Sequence, residues 1–228
     1  MYITPPNLDS SELKAFFTTR TLTDGKEHHI SDALADELGV PKGDIFMPSQ
    51  KHTGSVHVLG PDPAPVVADA VVTSRKNVFI GVLVADCVPV LLYDPAKEVA
   101  GAVHAGWRGT AQRILMNTIR TMHEKFLCSA SDILVAIGPS IKQCSYQVGE
   151  EVIAGVRKAT GEGDYYCERE GKYYVDLANA NRIQAMSMGI PEGNIWQSGE
   201  CTFCNPQRYY SYRYSKSTGR QGGFIGMW

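Results

Sequence analysis

The chain has 228 residues, 43% of them hydrophobic and 20% charged, enough apolar mass for one well-packed α/β unit. A formal net charge of −2 leaves no global basic face, which argues against an extended nucleic-acid partner. No apolar run approaches membrane-spanning length, and MYITPPNLDSSELK lacks the basic and apolar regions of a signal peptide, so a cytoplasmic protein with no membrane partner is expected.

In chain order, apolar alternation and short apolar runs predict strands near 14–19, 44–48, 55–59, 70–73, 78–84, 88–93, 98–104, 132–137, 172–175 and 223–227. Helical periodicity predicts helices near 32–39, 110–127, 149–159 and 177–188. Strands outnumber helices in uneven order, which argues against a doubly wound sheet. No Gly-x-Gly-x-x-Gly follows a strand, so a dinucleotide site has no support. No linker composition or repeat divides the chain, and residues 1–228 are read as a single domain.

Three metal-type side chains stand out in separate apolar segments: His52 in SQKHTGSVHVL, Cys87 between FIGVLV and VPVLLY, and His104 in VAGAVHAGWRGT. Cys87 and His104 fall where strands end or bend, positions that hold a side chain rigidly beside a free loop. Two imidazoles and one thiolate suit zinc, and three protein ligands leave a fourth position open for water or substrate. Copper is the weaker fit. After His104, Ala-Gly-Trp-Arg-Gly-Thr forms a Gly-bounded turn before the helix carrying Ile114, Leu115, Thr118, Ile119 and Met122, so Arg108 and the helix amides make a candidate anion site. Asp86, beside Cys87, is a candidate general acid/base or ligand-orienting group.

The remaining metal-type residues are read more plainly. His28, His29 and His123 are expected to face solvent, and His57 to point away from His52. With no signal peptide, the six cysteines are expected to be reduced thiols. Cys201-Thr-Phe-Cys204 has zinc-ribbon spacing but no second Cys-x-x-Cys, and is read as two packed thiols. Phe203, Tyr210 and Tyr212 are candidates for a wall that stacks on a base. The Arg and Lys residues of QRYYSYRYSKSTGRQGG are read as lining for a small anionic ligand.

Six blocks, FFTTR (16–20), VADCVPVLLYDP (84–95), GAVHAGWRGT (101–110), IGPSIKQCSYQVGEEV (137–152), DLANANRIQ (176–184) and ECTFCNPQRYYSYRYSKSTGRQGGFIGM (200–227), resemble, in order, the YfiH-like family. That family is variously labelled multicopper polyphenol oxidoreductase, laccase-domain protein and purine nucleoside phosphorylase. The resemblance implies an α/β/β/α arrangement of two packed mixed sheets flanked by helices. It also implies His52, Cys87 and His104 as metal ligands, with Arg20 and Arg108 as substrate or phosphate contacts. The implied activity is a zinc-dependent phosphorolysis of adenosine, inosine and methylthioadenosine to free base and (methylthio)ribose 1-phosphate, with adenosine deamination beside it. Zinc lowers the pKa of bound water to about 7, which suits deamination. Phosphorolysis instead needs an anion held beside the ribose. A Cys/His hydrolase or deamidase using Cys87 and His104 is the alternative. A copper polyphenol oxidase is weaker, since six histidines, three of them expected at the surface, cannot build a multicopper cluster. Two departures stand out: a short loop follows Arg20, and Lys51-His52-Thr53-Gly54 replaces the Val-His-Gly of many relatives.

Overall fold

The computed structural model describes residues 2–22, 30–61 and 64–228. Its first strands are β1 (Tyr2–Ile3), β2 (Leu13–Thr18), β3 (Ile45–Phe46), β4 (Val56–Val58) and β5 (Ala70–Thr73). The long central strands follow: β6 (Val78–Val84), β7 (Val88–Asp94) and β8 (Val99–Ala105). Then come β9 (Leu134–Ile137), β10 (Gln147–Val148), β11 (Tyr166–Arg169), β12 (Lys172–Val175), β13 (Ile195–Gln197) and β14 (Gln221–Met227). The helices are α1 (Ile30–Leu38), α2 (Trp107–Ala111), α3 (Ile114–Phe126), α4 (Glu150–Thr160) and α5 (Leu177–Ser187).

Two mixed sheets face each other. One runs β1-β2-β14-β6-β3, the other β13-β9-β7-β8-β5-β4, and a small sheet β10-β12-β11 stands apart. Every residue of β7 and β8 is buried, because one face meets the other sheet and the opposite face meets helices. That is why their sequences are continuous apolar runs rather than alternations. Between the sheets lie Phe17, Val71, Ile80, Val82, Leu91 and Ile225, among others. Phe17 stacks against Trp196, and its ring fills the space above Gly138 and Gly223, where an added Cβ would sit 2.5 and 3.0 Å from ring carbons.

On the outer face of the six-stranded sheet, Ile114, Leu115, Ile119 and Met122 of α3 pack with residues of α4 and α5. These are the positions whose 3.6-residue spacing predicted a helix. On the outer face of the five-stranded sheet, Ile30, Leu34 and Ala35 of α1 cover Phe16, Phe79 and Phe224. The layers are therefore α/β/β/α, as expected. Among the described residues no helix is long and apolar enough to cross a membrane.

Two expectations change. The helix predicted over 110–127 begins earlier, at Trp107, and breaks at Arg113, whose φ of 61° places it in the left-handed region, so α2 and α3 are separate. Four strands, β1, β10, β11 and β13, carried no sequence signal. Two of them have only two residues, β11 exposes Glu168 and Arg169, and β13 is half-buried throughout, so no clean period-2 pattern exists to be read.

Candidate metal centre

Strand register brings the site together. Pro89 of β7 pairs with His104 of β8, which sets Cys87, two residues earlier, at the same end of the sheet. Ala70 of β5 pairs with Val103, so Asp69 arrives beside His104, whose amide donates to the Asp69 carbonyl at 2.7 Å. His52 comes from the loop before β4, with φ of 59°.

Asp69 organises this loop. It is fully buried. Its carboxylate accepts from the amides of Lys51 (3.2 Å), His52 (3.0 Å) and Thr53 (2.6 Å) and from the Thr53 hydroxyl (2.8 Å). The same carboxylate meets Nδ1 of His104 at 2.8 Å. A carboxylate can only accept, so Nδ1 carries a proton and Nε2 is the nitrogen left for the cleft side. Burial alone would raise the Asp69 pKa; the hydrogen bonds from His104 and Thr53 override it and hold the group far below the usual carboxylate range.

The three ligand atoms converge. Nε2 of His52 lies 3.9 Å from Sγ of Cys87, and the donor atoms of His52, Cys87 and His104 all lie within 4.8 Å of one another. A tetrahedral ion with zinc-like bond lengths would hold nitrogen and sulfur about 3.6 Å apart. The two imidazoles meet edge to face, centroids 4.7 Å apart. Burial opposes the Cys87 thiolate, yet the two imidazoles beside it bring its pKa down. Burial likewise opposes the His104 imidazolium, while Cys87 and Asp69 push its pKa up. The pair thus favours a thiolate beside an imidazolium, so a metal would meet the thiolate and displace the proton from His104 Nε2. Gly106 completes the cradle: a Cβ there would lie 3.0 Å from both Cys87 Sγ and His52 Cδ2. The residues present therefore fit a soft or borderline metal ion.

The trio opens into a cleft of about 630 Å³, also lined by Gln50, Leu83, Tyr212 and Arg220. Gln50 is fixed by two bonds to the Leu83 backbone, 2.7 and 2.8 Å long. Arg220 reaches the carbonyls of Thr218 and Gly219 at 3.0 Å and borders the cleft.

Other expected residues lie elsewhere. Arg20 binds the Pro206 carbonyl at 2.9 Å and lies over Tyr210. Arg108 is exposed and lies over the indole of Trp107, 4.4 Å from its centroid. Neither lines the cleft. Arg108 sits inside the first turn of the five-residue α2, beside the ring it covers. Asp86, with φ of 85°, gives one carboxylate oxygen to the Thr202 hydroxyl (2.7 Å) and the other to the Arg213 amide (2.7 Å). Of the aromatics expected to form a wall, only Tyr212 borders the cleft. Tyr210 is buried and donates to the Arg20 carbonyl, and Phe203 meets Tyr214 edge-on. His57 stacks on Phe46, and His123 is exposed with Nδ1 3.0 Å from the Cys128 carbonyl. His28 and His29 lie outside the described residues.

Sequence reasoning missed Asp69, Gly106 and Gln50. The one available signal was Asp69 itself, a charged residue inside the apolar run VVADAVV, which must be paired if buried. Arg220 lies in the basic segment already read as anion lining.

A layered sandwich with a His/Cys/His cluster able to hold a metal at the end of its central strands defines a class of α/β proteins. Residues 26–228 match the family described as Multi-copper polyphenol oxidoreductase laccase, and the chain belongs to that family. The chain is 39% identical over 162 residues to purine nucleoside phosphorylase YlmD of Bacillus subtilis, covering 70% of this chain and 58% of that protein. It thus spans under two thirds of that relative. It is also 33% identical to adenosine deaminase RL5 from an unknown prokaryotic organism, covering 88% of each. The crystal structure of YlmD from Geobacillus stearothermophilus superposes with a TM-score of 0.89 at 28% identity, covering 97% of this chain and 93% of that one.

Proposed function

We propose that the cleft is the active site of a zinc-dependent purine nucleoside enzyme. It would cleave adenosine, inosine and methylthioadenosine with phosphate to free base and (methylthio)ribose 1-phosphate, and deaminate adenosine at the same site. The observation that carries this reading is the convergence of His52, Cys87 and His104 on one point at the wall of an open cleft whose volume, about 630 Å³, lies in the range of small-molecule sites. Relatives named for phosphorylase and deaminase activity support the substrate class. When bound, zinc would supply a Lewis acid at its open position.

The chain's own groups take the remaining roles. Asp69 holds the proton on His104 Nδ1 and sets the loop that carries His52. Arg220 borders the cleft and would meet an anion there, alongside Arg20 and Arg108, the contacts that the resemblance implies. Tyr212, 47% exposed at the rim, offers a ring to a base. Asp86, whose carboxylate oxygens both bind the 202–213 segment, positions Cys87 and that segment rather than exchanging protons with substrate.

The test is product analysis by mass spectrometry after incubating zinc-loaded protein with each nucleoside, with and without phosphate. Free base that forms only with phosphate is expected, and inosine from adenosine in its absence. No turnover of any of the three would overturn the reading.

A second reading rests on a specific geometry: Cys87, His104 and Asp69 line up as nucleophile, base and orienting acid, with the base 2.8 Å from the acid. A thiol hydrolase would label at Cys87 equally with and without zinc and would be insensitive to chelation. The zinc enzyme would be protected from labelling by its metal. Copper oxidase chemistry of the multicopper kind has little support, since the other described histidines, His57 and His123, are engaged elsewhere.

A further inference from the structure

Three more sulfurs converge away from the cleft's metal trio. Cys201 and Cys204 bracket a tight turn, and their Cys-x-x-Cys spacing supplies only two ligands. The third comes from Cys144. A bridge between Ser140 and Cys201 lays the segment after β9 alongside this turn, the Thr202 amide donates to the Ser140 carbonyl at 3.2 Å, and the Lys142 amide donates to Cys201 Sγ at 3.4 Å. The three sulfurs lie within 4.8 Å of one another, with Cys144 and Cys204 3.5 Å apart. Thiolates at the corners of a tetrahedron around zinc stand about 3.8 Å apart. The Ser145 hydroxyl lies 3.2 Å from Cys204 Sγ and 3.5 Å from Cys144 Sγ, within reach to donate to either.

Beside these sulfurs, Lys142 is 7% exposed and its Nζ has no hydrogen-bond partner. It faces the carboxylate of Asp176 and the sulfurs of Cys201 and Cys144.

We propose that Cys144, Cys201 and Cys204 form a second metal site, selective for zinc or another thiophilic divalent ion, with solvent at the fourth position. On binding, three S–H protons leave to solvent and three sulfur–metal bonds form, with no change of oxidation state. The site would pin the turn that holds Thr202, whose hydroxyl donates to Asp86 beside Cys87. The second ion would thus brace the wall opposite the first.

The test uses the full chain, kept reduced, stripped of metal and titrated with cobalt(II). Cys87→Ser empties the cleft centre, so any remaining sulfur-to-cobalt charge-transfer absorption reports the second site. We expect the Cys87→Ser protein to bind one equivalent with a strong sulfur band. The double variants Cys87→Ser/Cys204→Ser and Cys87→Ser/Cys144→Ser should lose the band while keeping their circular dichroism. Both substituted thiols are exposed, so neither change disturbs the core. Zinc content should fall from two ions in the wild type to one in Cys204→Ser, which keeps the cleft ion. Absence of the band in Cys87→Ser, its survival in both double variants, or a Cys144–Cys204 disulfide in place of metal in the reduced protein would overturn the proposal.

Discussion

The two walls of the cleft are built differently. The first is made by strand ends: Asp69 before β5, Cys87 before β7 and His104 in β8 are placed by ladders of backbone hydrogen bonds, and Asp69 and His104 are buried. The second is the 199–220 segment, which carries Tyr212 and Arg220 and is tied down by the Thr202 hydroxyl and the Arg213 backbone amide, both donating to the Asp86 carboxylate. On the proposed function, metal coordination, which tolerates little displacement of its ligands, would rest on the strand ends of Cys87 and His104 and on the His52 loop that Asp69 holds. Recognition of a nucleoside, which tolerates more, would fall to the segment.

The sharpest break of this contrast is Cys87→Ala. It should abolish both cleft metal and nucleoside turnover while circular dichroism stays unchanged, because an open site contributes less to folding than a closed one. Loss of fold with the metal would make the first wall dependent on its ion. Asp69→Asn comes next: with one fewer anionic acceptor for the His52 loop and the His104 ring, cleft metal should bind about 10–100-fold more weakly, measured by competition with a chelator. Gly106→Ala should act more mildly. Its Cβ crowds Cys87 and His52 at 3.0 Å, so the ligands must shift, at a cost of about 1–2 kcal/mol in metal binding. On the second wall, Tyr212→Ala should leave metal content untouched and raise KM about fivefold, the low end of what loss of a stacking ring costs. A Tyr212 variant that lost metal would erase the distinction between the walls.

How much of this was legible depended on the distance over which each feature is determined. The buried strands announced themselves in FIGVLV and VPVLLY, with the candidate ligand Cys87 between them and His104 near the end of the next apolar run, VAGAVHA. The role of Asp69 follows from the pairing of β5 with β8, some thirty residues on, and no local pattern encodes it. Arg108 and Arg20 were judged by their charge and by resemblance, whereas their direction is set by where α2 begins and by the Pro206 carbonyl. Cys201 and Cys204 looked incomplete because the third sulfur, that of Cys144, lies 57 residues before Cys201, brought alongside by a bridge between loops and the Lys142 amide.

The position of β14 has a consequence for biogenesis. It lies between β2 and β6, pairing Ile225 with Ala15 on one side and Ile80 on the other. Residues 13–18 therefore wait for a neighbour made about two hundred positions later, and contacts so distant slow folding. Since Arg220 enters β14 directly, the wall that carries Tyr212 and Arg220 would be the last part of the molecule to take shape. Pulse-labelling hydrogen exchange during refolding should find the amides of β7 and β8 protected before those of β14; the reverse order would contradict this sequence of events.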